Sequence, residues 1–236
     1  MDIGKDIIGI VGGMGSYATV NIFERILNAF PGEKEWDRPR IIIDNNCTLP
    51  SRSRALLYNE KRDLVVNGLS NSVKHLMAFG ANIIILGSNT AHLFLNDILN
   101  LVPESEPCIV NIVEECAKDA GGYGIKSAML LGTDATVDLG MYRTVFGKYG
   151  VEIQTPSAEE QTIVVEFIEA VKRNAVTEQD VLNFAKFLNG FKDGVIVLGC
   201  TELPVLYEMC IKRKLTVKKR IFDPIDSVIK FLKEEK

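Results

Sequence analysis

The 236-residue chain has few of the residues from which metal centres and disulfide scaffolds are built. It contains two histidines, His75 and His92, which argues against a histidine-rich metal site and against a mechanism that needs several imidazoles. Its five cysteines include no Cys-x-x-Cys pair, which argues against a zinc cage and thioredoxin-type chemistry. We therefore predict no bound metal and, in a reducing compartment, free thiols.

Long apolar runs and an excess of positive charge are also missing. No stretch reaches the ~18 apolar residues that a membrane span requires, and the first residues lead into a predicted strand rather than a cleavable signal. The net charge is -4, and the one basic cluster, residues 212–220, is short, which disfavours a nucleic-acid surface. These features predict a cytoplasmic protein with no membrane or nucleic-acid partner.

Apolar, β-branched runs alternate with segments of helical spacing along the chain. Such alternation predicts an α/β fold in which mostly parallel sheets are flanked by helices. The predicted strands are Ile7 to Val11, Ile41 to Asp44, Ile83 to Leu86, Ile109 to Val110, Ala128 to Leu131, Val151 to Gln154, Val195 to Leu198 and Arg220 to Phe222.

Two segments, residues 83–90 and residues 195–202, look like copies of one unit. Each is an apolar run that closes on Leu-Gly and continues with a small nucleophilic side chain and a nearby threonine. Residues 7–15 and 127–136 form a second pair at a similar offset. We therefore predict two similar Rossmann-like or flavodoxin-like lobes, residues 1–101 with 206–236 and residues 102–205. In this division residues 220–236 return as the last strand and helix of the first lobe.

Ser88 and Cys200 are the candidate catalytic residues, because the repeat places both at the carboxyl ends of buried strands, where open parallel sheets bind ligands. A helix opening just after Cys200 is expected to lower the thiol pKa through its dipole. A serine hydroxyl ionises far above the reference cysteine pKa of ~8.5, so Ser88 is better suited to donate a proton than to attack carbon acids. His92, four residues on, leaves a Ser/His hydrolase as an alternative, which the absence of a Gly-x-Ser-x-Gly elbow disfavours.

A glycine-rich segment after the first strand supports a competing hypothesis. Residues 13–18, Gly-Met-Gly-Ser-Tyr-Ala, fit the dinucleotide-binding pattern, and Asp44 ends the next strand, so an NAD-binding oxidoreductase is an alternative. The same segment can also offer backbone N–H groups to a carboxylate, and residues 132–136 in the second half, which carry hydroxyls in place of glycines, suit the same smaller anion. Arg52 or Arg54, after the second strand, can hold a carboxylate in bidentate fashion from an irregular loop.

Motifs along nearly the whole chain resemble the aspartate/glutamate racemase family, and its aspartate racemase branch most closely. The matching pieces are residues 8–15 with Ala18-Thr19, Pro50-Ser51-Arg52, Asn89-Thr90-Ala91-His92, Leu131-Gly132-Thr133 with Thr136, and Gly199-Cys200-Thr201-Glu202-Leu203. The resemblance implies two similar lobes related by a pseudo-twofold axis and an active-site cleft between them. It also implies no pyridoxal phosphate or other cofactor, and a homodimer.

The resemblance further implies site roles. Cys200 and Ser88 would remove and return the α-proton of an amino acid from opposite faces. Hydrogen bonds to the α-carboxylate would stabilise an enolate-like state, and Arg52 would hold a second carboxylate, which points to aspartate or glutamate. The predicted substrate-binding residues are Met14, Gly15, Asn46, Arg52, Asn89, Thr90, Thr133, Thr136, Thr201 and Glu202.

The chain departs from the family pattern at two places. Ser88 stands where the family has its first cysteine, and Glu160-Gln161-Thr162 stands where we align a lysine, for which Lys172 is a candidate substitute. Ser88 leaves three accounts open: a one-base racemase in which it donates a proton or relays one through water, a natural homologue that binds acidic amino acids or dicarboxylates without racemising them, and an engineered cysteine-to-serine change. Decarboxylation or isomerisation of a dicarboxylate is a further alternative that the motifs disfavour.

Overall fold

The computed structural model describes residue 2 and residues 5–234, and the chain divides into two compact units. Unit 1 extends to Ile112 and takes up the chain again from Val228, and unit 2 is Val113–Ser227. Each unit contains a four-stranded parallel sheet flanked by helices, which confirms the predicted α/β fold. Among the described residues, no helix combines the length and apolar character needed to cross a membrane.

Unit 1 has the strand order β2-β1-β3-β4. Short 3₁₀ helices lie at Glu35–Asp37, Asn89–Phe94 and Pro103–Ser105. The longer elements are β1 (Ile7–Gly12), α1 (Ser16–Ala29), β2 (Arg40–Asn45), α2 (Arg52–Tyr58), α3 (Arg62–Ala78), β3 (Ile83–Leu86), α4 (Leu95–Leu101) and β4 (Ile109–Val110).

Unit 2 has the matching order β6-β5-β7-β8, so β3 and β7, which both end in Leu-Gly, are the third strands of equivalent sheets. This agreement supports the repeat seen in the sequence. The elements are α5 (Ile112–Gly122), β5 (Ser127–Leu131), α6 (Asp134–Asp138), α7 (Met141–Gly147), β6 (Glu152–Gln154), α8 (Ala158–Lys172), α9 (Glu178–Gly190), β7 (Val195–Leu198), α10 (Leu203–Lys212), β8 (Arg220–Phe222) and α11 (Pro224–Glu234).

Every predicted strand is present with its ends within one residue, but two of them belong to the other sheet. Strand β4 pairs with β3 in unit 1, and β8 pairs with β7 in unit 2, so the assignment of residues 220–222 to the first lobe is wrong. Both are edge strands of two or three residues, too short to show a period, and backbone pairing alone decides where they lie. The chain returns to unit 1 only within α11, at Val228.

The core of unit 1 depends on a close approach between α3 and β1. Residues Val65, Leu69, Val73 and Leu76 form the buried face of α3, at the spacing expected for one side of a helix. A Cβ on Gly9 of β1 would lie 2.9 Å from Ala81 Cβ and 3.2 Å from Leu76 Cβ. Glycine at this position therefore allows the end of the helix to pack directly on the strand.

A methyl group at Gly9 should destabilise the protein. We expect Gly9→Ala to lower the free energy of urea unfolding by about 1–3 kcal/mol, the usual cost of overpacking a close contact. Gly190→Ala is the matched control, because a Cβ there meets no atom within 4 Å, and we expect it to leave the free energy of unfolding unchanged or slightly higher. Equal stability of the Gly9→Ala and native chains would contradict this account of the packing.

Candidate active site

In unit 1, Ser88 follows the carboxyl end of β3. The backbone N–H of Gly87 donates to Val11 O at 2.9 Å, and a Cβ at Gly87 would lie 3.0 Å from the same oxygen. This contact holds the end of β3 against β1 and leads into the 3₁₀ helix that starts at Asn89. Ser88 is 6% exposed, and within the part of the chain that the structure describes its hydroxyl has no hydrogen-bond partner. Among the described residues of unit 1, no base is therefore in contact with the Ser88 hydroxyl.

His92 contacts the backbone of Ser88 rather than its hydroxyl. The Ile112 N–H donates to His92 Nε2 at 3.4 Å, so Nδ1 carries the proton and donates to Ser88 O at 3.0 Å. Burial lowers the pKa of His92 to about 4. His92 is thus a neutral link between the end of β3 and the start of α5, which excludes the Ser/His hydrolase pair.

The glycine-rich segment packs against the loop that follows β2. Gly13 has φ +81°, and a Cβ there would lie 2.4 Å from Asn46 C and 2.5 Å from Cys47 N. Thr19 Oγ1 accepts from Gly13 N at 3.0 Å and donates to Gly15 O at 2.8 Å. Close packing within the chain therefore accounts for the glycine at position 13 without a dinucleotide.

Arg52 lies beside this glycine-rich segment, whereas Arg54 does not. Arg52 Nη2 donates to Met14 O at 2.9 Å and Nη1 donates to Pro50 O at 3.1 Å. Arg54 instead forms an exposed ion pair with Glu60, with 2.6 Å between Nη2 and Oε2. The irregular loop predicted here is in fact the start of α2, which begins at Arg52, and this places the two guanidinium groups differently.

The other predicted residues of unit 1 lie on the same strand ends. Asn46 Nδ2 donates to Ser72 Oγ at 3.1 Å, and Asn46 Oδ1 accepts from Thr48 Oγ1 at 2.8 Å. Asn89 and Thr90 are buried in the 3₁₀ helix that follows Ser88. Unit 1 thus collects its predicted site residues at the carboxyl ends of β1, β2 and β3.

In unit 2, Cys200 follows β7 as Ser88 follows β3. The Gly199 N–H donates to Leu131 O at 2.7 Å, and a Cβ at Gly199 would lie 2.5 Å from Leu130 Cδ1. The Cys200 thiol donates to Glu202 Oε2 at 2.9 Å. Cys200 and Glu202 are 6% and 2% exposed. Glu202, predicted as a substrate ligand, therefore contacts the thiol itself.

The expected lowering of the Cys200 pKa is wrong. Burial raises the pKa of the thiol well above its usual value, and the negative charge of Glu202 raises it further, whereas Lys172 acts in the opposite direction. The dipole of α10 does not lower the pKa below its usual value, because desolvation of a buried thiolate costs more free energy than the N-terminus of one helix contributes. Cys200 is accordingly a thiol at rest.

Lys172 supplies the positive charge near Cys200. Burial lowers its pKa, but the negative charges of Glu202 and Glu169, and that of Cys200 once its thiol is ionised, outweigh burial and raise it overall. Lys172 Nζ lies 3.0 Å from Glu169 Oε1. Lys172, the last residue of α8, is therefore a positive charge close to Cys200, and its role as a substitute for the aligned lysine stays a prediction.

Residues 160–162, which align with the lysine of the family, form hydrogen bonds at the start of α8. Glu160 Oε2 accepts from Ser157 N at 2.8 Å in the capping box of α8, and Thr162 Oγ1 donates to the carbonyl one turn earlier at 3.0 Å. Gln161 Nε2 donates to Gly132 O at 3.0 Å and to Asp134 Oδ1 at 2.8 Å. Gln161 therefore holds the start of α8 to the segment that follows β5, whereas Glu160 and Thr162 bond within the first turns of α8.

The threonines of unit 2 lie at the same edge as Cys200. Thr133 caps α6, accepting from Thr136 N at 3.3 Å, and its hydroxyl lies 3.0 Å from that of Thr136. A Cβ on Gly132 would lie 3.2 Å from Gly199 O, so the ends of β5 and β7 are adjacent. Thr201 is buried beside Cys200 in the chain. Unit 2 thus brings Thr133, Cys200, Thr201 and Glu202 to one edge of its sheet, with the fully buried Thr136 behind Thr133.

Sequence reasoning missed two contacts at these strand ends. The thiol–carboxylate hydrogen bond depends on the turn before α10, and only the spacing of two residues between Cys200 and Glu202 hints at it. The double hydrogen bond of His92 joins residues 88 and 112, which no local pattern connects. All five cysteines are free, as predicted. Among the described residues no cluster of three or more His, Cys, Asp and Glu could hold a metal ion.

Comparisons with known proteins identify a family and relatives of this chain. Residues 11–232 match the family model described as Asp/Glu/Hydantoin racemase. The chain is 28% identical over 203 residues to the broad specificity amino-acid racemase RacX of Bacillus subtilis (strain 168), covering 83% of this chain and 85% of that protein.

Two solved structures also resemble this chain. The Picrophilus torridus aspartate racemase superposes with a TM-score of 0.82 at 27% identity, covering 96% of this chain and 92% of its own. PH1733, an aspartate racemase homologue from Pyrococcus horikoshii OT3, gives a TM-score of 0.70 at 23% identity, covering 98% of each chain. Because its identity is only 23%, this second likeness shows the fold alone.

Acid should destabilise the protein through His92. Its pKa is 6.5 in the unfolded chain and about 4 in the folded one, so stability that is full above pH 6.5 is lost as the pH falls towards 4. The loss attributable to His92 should be about 3 kcal/mol in the free energy of urea unfolding. His92→Gln should remove this dependence, whereas His75→Gln, at the exposed histidine, should keep it. A His92→Gln curve that is as steep as the native one between pH 4 and 7 would refute the assignment.

Proposed function

The chain belongs to the Asp/Glu/hydantoin racemase family, and we propose that it interconverts the enantiomers of an acidic amino acid with Cys200 as the base and Ser88 in the partner position. It is an isomerase, an amino-acid racemase of the type that uses no cofactor. The observation that carries the proposal is the equivalent placement of Cys200 and Ser88, each after the glycine that ends the third strand of its sheet. Because the chain belongs to this family, a racemase replaces the NAD-binding oxidoreductase as the functional hypothesis.

Racemisation requires that a proton leave one face of Cα and return to the other. In the proposed step the Cys200 thiolate takes the proton, and the electron pair left on Cα delocalises into the α-carboxylate. Backbone N–H groups at Met14 and Gly15 and the polar side chains that follow the strand ends would stabilise that charge. The proposal requires Cys200 and Ser88 to serve opposite faces of the same Cα.

Two cations support an acidic substrate. Arg52 lies beside the glycine-rich segment of unit 1, and Lys172 lies near Cys200 in unit 2. Two carboxylates on one substrate would match two such charges, and a charge-assisted hydrogen bond contributes about 1.5–3 kcal/mol. The similarity to a protein named aspartate racemase favours the same class. A homodimer and a cytoplasmic location are further parts of this proposal.

Ser88 makes the rates of proton transfer at the two faces of Cα unequal. Its hydroxyl is a much weaker acid than a thiol and has no basic partner in unit 1. Proton removal by Ser88 is therefore slow, whereas donation from Ser88 to a carbanion needs no prior activation. We propose an activity biased towards the enantiomer whose α-proton faces Cys200; a chain that binds dicarboxylates without turnover is the alternative.

Exchange of the α-proton with solvent tests this proposal. We expect native protein in D₂O to exchange Cα of aspartate or glutamate from one enantiomer much faster than from the other, measured by proton NMR on L-Asp, D-Asp, L-Glu and D-Glu. Ser88→Cys should make the two enantiomers more equal, because it restores a group that can become a thiolate. Cys47→Ala, at an exposed cysteine, is the control and should exchange at the native rate. If Cys200→Ala exchanged at the native rate, Cys200 would not be the base.

Lys172 should matter for acidic substrates in particular. We expect Lys172→Met to lower kcat/KM for aspartate by about 10- to 100-fold more than for alanine, the equivalent of one lost charge-assisted hydrogen bond, in addition to a loss shared by both substrates because Lys172 also favours the Cys200 thiolate. Lys186→Met, on the exposed face of α9, is the control for a removed positive charge. Equal losses for aspartate and alanine would assign Lys172 to Cys200 rather than to the side-chain carboxylate.

A further inference from the structure

A groove of about 590 Å³ lies between α8 and α9 in unit 2. Helix α8 lines it with Glu160, Ile163, Glu166 and Phe167, and α9 lines it with residues 180, 183, 186, 187 and 190. Successive lining positions in each helix recur every three or four residues, so each helix turns one face towards the groove. The lining of α9 runs from residue 180 to residue 190, a length of about 15 Å. We refer to this feature as the α8–α9 groove.

Phenylalanine rings from both helices supply the apolar part of the α8–α9 groove. Phe167 of α8 and Phe187 of α9 are in contact, with 5.8 Å between their ring centroids. The Phe184 ring lies 5.1 Å from that of Phe167, which connects the groove to the core of the unit. Ile163, which also lines the groove, is 39% exposed. The volume of the groove is far larger than the gaps of a close-packed interior and falls within the range of about 300–1,000 Å³ typical of small-ligand pockets.

The charged groups that line the α8–α9 groove are mostly carboxylates. Glu160, Glu166 and Asp180 contribute three carboxyl groups, against the one ammonium group of Lys186. Hydrogen bonds from the hydroxyl and the N–H of Thr177, both at 2.7 Å, lower the pKa of Asp180 and keep it ionised. Within the part of the chain that the structure describes, neither Glu166 nor Lys186 has a hydrogen-bond or ion-pair partner. The lining therefore combines an excess of negative charge with an apolar surface.

This combination favours one class of ligand. An aromatic or aliphatic body can pack against the phenylalanine rings and remove their surface from water. An ammonium group on that body is attracted by the carboxylates and by the faces of the rings. The carboxylates would repel an organic anion, and a neutral apolar molecule would gain nothing from them. A protein partner generally buries about 800 Å² on each side, far more than a groove of this length presents.

We propose that the α8–α9 groove binds a small organic ammonium ion with an apolar body, of the class of primary arylalkylamines. The apolar body packs against Phe167 and Phe187, and the ammonium group lies among the carboxylates, with Glu166 as its main acceptor. Lys186 opposes binding through repulsion of like charges. The groove contains none of the residues proposed for proton transfer or substrate binding, so this inference does not rest on the proposed function.

Titration of the native chain with 2-phenylethylamine tests the inference, with 2-phenylethanol and 3-phenylpropionate as neutral and anionic probes of similar size. We expect the amine to cause saturable shifts of the backbone amides of Phe167, Asn183 and Phe187 in ¹H–¹⁵N NMR spectra at concentrations up to about 20 mM. The alcohol should bind about 3- to 10-fold more weakly, because it lacks the charge, and the anion should cause no saturable shift. An excess of L-aspartate should leave the shifts caused by the amine unchanged, because the proposed substrate site lies elsewhere.

Variants of the lining should change the affinity for the amine in opposite directions. We expect Glu166→Gln to weaken binding about 3- to 10-fold and Lys186→Met to strengthen it about 2- to 5-fold. Asn183→Trp, which places a bulky side chain in the groove, should abolish binding. Glu159→Gln, at an exposed position of α8 outside the groove, is the matched control for a removed carboxylate and should bind as the native chain does. Circular dichroism melts check that each variant is folded.

Four outcomes overturn the inference. The first is equal affinity for the amine and the alcohol, and the second is equal affinity of the native chain and folded Glu166→Gln for the amine. Displacement of the amine by L-aspartate would assign it to the substrate site instead. Weaker binding at higher protein concentration would show that a second copy of the chain covers the groove. Failure of the proposed function is a separate result, because absence of Cα exchange in the native and Ser88→Cys chains leaves the titration of the groove unchanged.

Discussion

A backbone hydrogen bond between the third strand and the first strand governs the candidate site in each unit. Gly87 donates to Val11 O in unit 1 and Gly199 donates to Leu131 O in unit 2, at 2.9 Å and 2.7 Å. A side chain at Gly199 would collide with Leu130, and one at Gly87 would press on the Val11 carbonyl. The residue after each glycine therefore leaves the sheet at the same place. Ser88 and Cys200 owe their equivalent positions to this one contact.

Burial rather than the helix dipole sets the state of the nucleophile. The dipole of α10, taken alone, would favour a thiolate at Cys200. In the folded chain the thiol is buried beside the carboxylate of Glu202, and both effects favour the protonated form. The charge of Lys172 acts in the opposite direction, towards the thiolate.

Much of the fold could be predicted from the chain because parallel strands buried on both faces appear as short apolar runs. The run from Ile83 to Leu86 and its counterpart at Val195 to Leu198 were located to the residue. The edge strands β4 and β8 were located equally well but assigned to the wrong sheets. Strand β8 shows why: three residues carry no information about a partner, and its pairing with β7 comes from backbone groups that any residue possesses. Membership of a sheet is a long-range property, whereas strand character is a local one.

The sequence by itself determined the two-unit α/β plan, the matching Leu-Gly strand ends and the asymmetry of a serine against a cysteine. These features depend on local apolar pattern, on repeated glycines and on the intrinsic acidity of side chains. Only the tertiary structure decided that Arg52 rather than Arg54 lies beside the glycine-rich segment, that His92 is a neutral link, and that Glu202 binds the thiol. The first two depend on contacts between residues distant in the chain, and the third on how the turn before α10 closes within a buried environment. The residue type fixes the intrinsic pKa of a side chain, whereas its pKa in the folded protein depends on the groups and the burial around it.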